Sequence, residues 1–300
     1  MSEASTVTID ATLLTETAAA RPPSVVRQAL RLRRTQVGLA ISLVLVAFAL
    51  AGPAIAPFGE TEYAGSPNLR TAPKTLLGTD YFGQDVWSRF LYGGRSILIL
   101  AAAATILGVG LGALFGLAAA YQRGRIDEGL MRSLDVLLAF PQLLVSLVII
   151  SMFSPSGLLV ILTVGLSTVP RVARIIRGAA LGVVERDFVA AAEAIGESRR
   201  RVLFSELLPN VSSTLLVELN LRLTYAIGLI AGLSFLGFTP KLNAANWGLM
   251  IQENRGALSV QPWGVVLPTV AIAALTIGTG LIADGLSRVV AGIDRGKADV

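Results

Sequence analysis

The stretch FVAAAEAIGESRRRVLFSELLPN, Phe188 to Asn210, lies between two strongly apolar segments and suits neither a membrane span nor a slack linker. Its charges make it costly to place in lipid, yet its pattern is that of two short helices. Phe188 to Ile195 is Ala-rich and helix-forming, and Gly196 is a natural breaker at the C′ position. Ser198 is placed to cap a second helix whose apolar side is Val202, Leu203, Phe204, Leu207 and Leu208. Pro209 is expected to end that helix before the next apolar run. A helix–Gly–helix element with an apolar stripe must bury the stripe against lipid headgroups or against a soluble partner.

Outward from this stretch, the composition is that of a membrane protein. The chain has 300 residues, about half of them apolar and only 15% charged. The apolar residues fall in runs of roughly 18 or more, the length that matches a bilayer's hydrocarbon core. The sequence contains no Cys and no His, which excludes disulfides, thiolate nucleophiles, Cys/His metal sites and imidazole acid–base chemistry. The formal charge of +5 bears on orientation through its placement, and no nucleic-acid partner is read from it.

Six spans are expected, at about 37–56, 94–121, 134–153, 157–176, 213–237 and 264–286, which makes the chain an all-α integral membrane protein. Residues 1–36 read as a mostly disordered cytosolic tail ending in Arg31, Arg33 and Arg34, and residues 291–300 as a second cytosolic tail. The first apolar run, VGLAISLVLVAFALAGPAIA, exceeds a signal peptide's core and is read as an uncleaved span. Residues 57–93 form an extracytoplasmic segment, and residues 94–290 a five-helix core that includes the loop 177–211. Ser154-Pro155-Ser156 reads as a tight turn between the third and fourth spans. Most Lys and Arg lie in the tails, at Arg123, Arg125 and Arg132, between Arg171 and Arg201, and at Arg288, Arg295 and Lys297. The positive-inside rule puts that side, with both termini and the opening stretch, in the cytoplasm.

Several residues stand out within the spans. Gly108, Gly112 and Gly116 form a small-xxx-small ladder, read as a helix-packing face or as pore lining. Pro141 is expected to kink the third span. Glu218 and Arg222 sit four residues apart on one helix face, and Asp284 and Arg288 repeat the spacing. Two readings stand for these pairs: a functional watery path through the bundle, or mutual satisfaction near the cytosolic interface. Trp87, Trp247 and Trp263 suit a membrane boundary.

With these residues in view, the opening stretch resembles the EAA loop of the membrane subunits of ATP-binding-cassette importers. The likeness rests on Ala191-Ala192, Gly196 and Leu208-Pro209 at the motif's spacing. LGTDYFGQDVWSRFLYGGRSI (77–97), RIDEGLMRSLDVLLAFPQLL, LSFLGF, NWGLMIQENR, QPWGVVLP and ADGLSR are similar in order to the C-type membrane subunit of dipeptide and oligopeptide permeases. The resemblance covers about residues 75–295. Two departures are Ala190, where the motif's naming Glu stands in the family, and Gln84, where Arg is usual.

The resemblance implies a type I importer permease fold of six transmembrane helices with a cytosolic coupling helix, in a bacterial inner membrane. It implies a half-pore that pairs with a homologous permease subunit. Two ATPase subunits would sit below and an extracytoplasmic solute-binding protein above, with lipid around. ATP and Mg would be used by those ATPases, and no cofactor, metal or catalytic residue is expected of this chain. The chain carries no G-x-x-x-x-G-K-[ST] phosphate loop of its own. ATPase coupling would fall on Asp187, Ala190, Ala191, Ala192, Glu193, Gly196, Leu208 and Pro209, with Glu193 or Asp187 replacing the missing carboxylate. Asp80, Asp85 and Trp247 are expected to face the binding protein. Short peptides are the implied cargo, with nickel complexes or haem as alternatives within the family. A non-pumping anchor or channel, its amphipathic segment lying on lipid, is the rival from another class.

Overall fold

A computed structural model describes residues 25–153, 155–239 and 244–292. Among these residues the regular structure is helical, apart from two isolated bridges, Tyr63 to Gln84 and Thr79 to Asp85. The long helices are α1 (Arg33–Ile55), α2 (Val86–Gln122), a broken pair α3 (Gly124–Leu138) and α4 (Gln142–Met152), and α5 (Gly157–Val184). They continue with α6 (Asp187–Ala194), α7 (Leu208–Phe235), α8 (Trp247–Asn254) and α9 (Trp263–Val290). Five helical segments are long and apolar enough to cross a membrane, and six if the broken pair is one span. The chain is thus a multi-pass membrane protein, as the apolar runs predict.

Side-chain caps mark where several helices begin. Asp85 accepts from the Ser88 backbone N–H at 2.9 Å and from its hydroxyl at 2.6 Å, which starts α2 eight residues earlier than the hydropathy suggests. Ser156 caps α5, and Asn246 caps α8 by accepting from the Gly248 N–H at 2.9 Å. α1 likewise begins at Arg33, and a further helical turn spans Val25–Ala29, where the sequence reading placed a tail. Buried Ala29 and Thr35 account for that order. Residues 1–24, Ser154 of the expected turn, 240–243 and 293–300 lie outside the described residues.

The dominant packing is α2 against α5. The glycine ladder lies on this contact. A Cβ on Gly108 would come within 2.5 Å of the Gly165 carbonyl oxygen, and one on Gly116 within 2.6 Å of that of Ala173. Small residues at these positions let the two backbones touch, so dispersion and close fit hold the pair where lipid offers no hydrophobic drive. The ladder is therefore a packing face. α1 lies on α9 and α2, and α7 on α9, α2 and α5.

Pro141 does more than kink the third span. The chain breaks there and α3 and α4 diverge by 79°. Pro141 is the N-cap of α4 in extended conformation, where its missing N–H and its ring weaken a continuous helix. Ion pairs hold the outer arm of this elbow to α5. Arg177 makes a bidentate contact with Asp127, and Arg174 pairs with Asp135. A largely apolar cavity of about 490 Å³ lies in the elbow, between Leu134 and Phe140 on one side and Leu159 and Leu166 on the other.

Candidate functional site

The opening stretch forms at one end of the bundle, as α6, a turn, a short helical turn Arg199–Arg201 and a π-helical turn Val202–Leu207. α6 ends at Ala194, and Gly196 follows with φ +84°, the left-handed backbone that Gly adopts without Cβ strain. The Ser198 hydroxyl accepts from the Arg201 N–H at 3.4 Å. Pro209 does not end the second helix. It occupies the first turn of α7, and the helix runs through from Arg199 to Phe235. The π turn explains how: the Leu208 N–H reaches back to the Leu203 carbonyl, so the ladder is already loosened where the proline ring would collide with an α-helical carbonyl.

One face of this segment joins the bundle's core. Val189, Val202 and Leu207 are buried in one cluster with Leu117 and Ala120 of α2 and Val172, Ile176 and Ala180 of α5. Ala192 and Leu208 pack partly against the same cluster. The other face is open: Asp187, Ala190, Ala191, Glu193 and Gly196 are exposed, with Pro209 beyond them. Phe188 is 37% and Ile195 78% exposed beside them, and Phe204 is half exposed. The two candidate carboxylates differ. Glu193 lies beside the Tyr121 hydroxyl at the end of α2. Asp187, in the first turn of α6, makes no ion pair among the described residues and faces solvent.

The side chains of both i, i+4 pairs lie within ion-pair distance. Arg222 meets Glu218 at 2.9 Å, both nearly buried, and its guanidinium lies 5.5 Å from the Tyr225 ring centre. Asp284 contacts Arg288 at 3.5 Å but bonds Arg34 of α1 more closely, a partner 250 residues away.

At the opposite end, three residues expected on the outer surface are internal. Asp80 is fully buried, its Oδ1 accepting the Phe82 and Gln84 N–H groups at 2.9 and 2.8 Å and its Oδ2 meeting Arg89. Asp85 is the buried cap of α2. Trp247 is buried and stacked on Phe90, and donates its indole N–H to the Phe90 carbonyl at 2.8 Å. Their burial corrects the surface reading: an acidic or aromatic residue in a polar loop is as well used inside it. Tyr81 and Phe82 are the exposed side chains beside Asp80. Gln84 spans the loop, donating to the Thr61 carbonyl at 3.3 Å.

Sequence reading missed the centre of this end. Arg89 is fully buried and bridges Asp80 to Glu253 of α8, the latter at 2.8 Å. Burial pushes the Glu253 carboxyl above the ordinary glutamate range, against the pull of Arg89. Nearby, Gln261 donates to the carbonyls of Leu69 and Leu77, each at 2.8 Å, and the Tyr81 N–H donates to Asn254. The available signal was an Arg set among Trp87, Ser88, Phe90 and Leu91, five residues before the expected second span.

Residues 108–292 match the family described as binding-protein-dependent transport system inner membrane component. A Brucella suis biovar 1 protein that carries the name of a peptide transport system permease is 38% identical over 267 residues, 88% of this chain and 89% of its own length. The dipeptide transport system permease protein DppC of Haemophilus influenzae is 31% identical, covering 85% of this chain and 88% of the relative. The glutathione transport system permease protein GsiD of Pectobacterium atrosepticum is 30% identical, covering 81% and 82%. With the helical bundle and its broken third span, these matches place the chain in the family of binding-protein-dependent transport permeases, as a transmembrane subunit of an ATP-binding-cassette importer.

Proposed function

We propose that the chain is one of two half-pores of an ATP-driven importer for short peptides, and that the α6 segment is where the ATPase grips it. The observation that carries this reading is the two-sidedness of that segment. An exposed helix with apolar projections at Phe188 and Ile195 is fused, through Val189, Val202 and Leu207, to the core of α2 and α5. A push on the exposed face is thereby delivered to the bundle as a rigid-body displacement, the kind of motion that switches a pore between two states. The names of the relatives, for peptide, dipeptide and glutathione transport, support small peptides as cargo.

In this reading both termini and α6 face the cytoplasm of the inner membrane, and the 58–85 and 244–262 segments face outward to a solute-binding protein. A homologous permease completes the pore, and separate ATPase subunits supply hydrolysis. Asp187 takes the place of the carboxylate absent at Ala190, because it is exposed and makes no ion pair among the described residues, whereas Glu193 sits beside Tyr121. Its position in the first turn of α6 also suits a negative charge.

The test is co-purification with the ATPase in detergent. The wild-type chain is expected to retain it, and Asp187→Lys to lose most of it, whereas Glu193→Gln retains it. Disrupting Gly196 or the Ala191-Ala192 pair should also release it. Recovery of the wild-type chain free of any ATPase would leave the anchor or channel reading in its place.

A further inference from the structure

At the end of the bundle opposite α6, a cleft of about 430 Å³ opens between the end of α1, the first turns of α2 and the residues preceding α8. Its polar wall is Glu60, Tyr92, Arg95, Ser96 and Asn246, and Ile99 and Leu100 give it an apolar floor. Arg95 is exposed and forms no ion pair or hydrogen bond among the described residues. Glu60 is partly buried. Its Oε1 accepts the Ala245 N–H at 2.7 Å, which fixes the carboxylate, while Oε2 has no protein partner among the described residues. The Asn246 amide donates to Ser96 Oγ at 3.4 Å and joins the two walls.

Two opposite charges therefore share one small cleft, and among the described residues neither forms an ion pair with the other or with a neighbour. Here Glu60 is tethered to the α8 side and Arg95 projects from α2. A ligand that satisfies both carries a cation and an anion at opposite ends, with a modest apolar body between. The volume is in the range of small-molecule sites. A guanidinium with all five donors available is suited to grip a carboxylate with two parallel bonds.

We propose that this cleft is a subsite for a zwitterionic short peptide, the terminal carboxylate on Arg95 and the terminal ammonium on Glu60. The inference rests on the importer reading above and adds to it a recognition step made by this chain.

The experiment uses the full chain in its purified assembly, without binding protein, and follows the ligand-induced rise in Tm with L-alanyl-L-alanine, its C-terminal amide and its N-acetyl derivative. The free dipeptide is expected to give a saturable rise. Arg95→Gln should weaken its apparent affinity at least about tenfold while changing that of the amide less than about twofold, the size of one charge-assisted contact. Glu60→Gln should show the mirror pattern with the N-acetyl derivative, and Arg95→Lys should fall between. The unliganded Tm of each variant reports whether the fold is intact.

No shift in the wild type, or equal losses for all three ligands, overturns the subsite. So does an Arg95-dependent rise produced by phosphatidylglycerol and not by dipeptide, which assigns Arg95 to a lipid headgroup. Peptide uptake by the assembled transporter without any Arg95-dependent shift overturns the subsite and leaves the importer reading intact. Failure to recover an ATPase overturns the importer reading whatever the shift.

Discussion

Arg89 and Arg222 are both guanidiniums withdrawn from water, and their surroundings meet the cost of burial in different ways. Arg89 lies between two carboxylates from distant parts of the chain, and its Nε and second terminal nitrogen have no protein partner among the described residues. Arg222 has one carboxylate a helical turn away and an aromatic face. The second arrangement was legible, because an i, i+4 spacing is written in the sequence itself. The first was not: Glu253 lies 164 residues from Arg89, and no local pattern announces the contact. Asp80 was noticed and misplaced for the same reason, since its partner was unknown. Removing one member of the buried helix pair leaves an uncompensated charge. Arg222→Met should destabilise the fold by about 3–5 kcal/mol, and a Glu218→Leu, Arg222→Met double variant should recover most of the loss. Thermal unfolding of the four proteins in one detergent, analysed as a double-mutant cycle, checks this.

At the scale of elements, hydropathy located the spans well and their ends poorly. Apolar length marks where lipid is crossed, whereas helix ends are set by caps such as Asp85 and by tertiary burial such as that of Thr35. The π turn before α7 illustrates a second limit. Pro209 reads locally as a stop, yet a loosened ladder lets the helix pass through it. Replacing the proline removes the reason for the π turn. Pro209→Ala is expected to tighten residues 202–207 toward α-helix and rotate α6 relative to the bundle. ATPase binding should persist while uptake per ATP hydrolysed falls, measured in proteoliposomes. Gly196→Ala meets no atom within 4 Å, so its cost is backbone strain alone, about 1–2 kcal/mol. Faster amide hydrogen exchange in α6 is the expected signature.

For the whole molecule, the resemblance in the sequence reached the family, and the helical bundle and the matched relatives support it. The joining of the two polar segments was out of reach, because it depends on Arg89–Glu253, Gln261 and Asn254 bonds between remote residues. Those bonds make one cap of residues 58–85 and 244–262 and tie its stability to pH. The Glu253 carboxyl is raised by burial, so the native state holds its proton more readily than the unfolded chain. Its contribution to stability is full below the ordinary glutamate value and is lost as pH rises through the raised native value. Glu253→Gln should flatten that part of the stability profile, read by thermal unfolding across acidic to neutral pH.

The elbow at Pro141 also bears on how the chain enters the membrane as it is made. α4 has 11 residues. That is about 16 Å of helix, roughly half of a hydrocarbon core. α3 carries Asp127, Arg132 and Asp135 and is poorly suited to lipid by itself. Neither half is a self-sufficient insertion signal. The third span is therefore expected to be completed once α5 has been synthesised and its Arg174 and Arg177 can receive Asp135 and Asp127 of α3. Stable insertion of this part of the protein is thus expected to depend on a helix that follows it in the sequence.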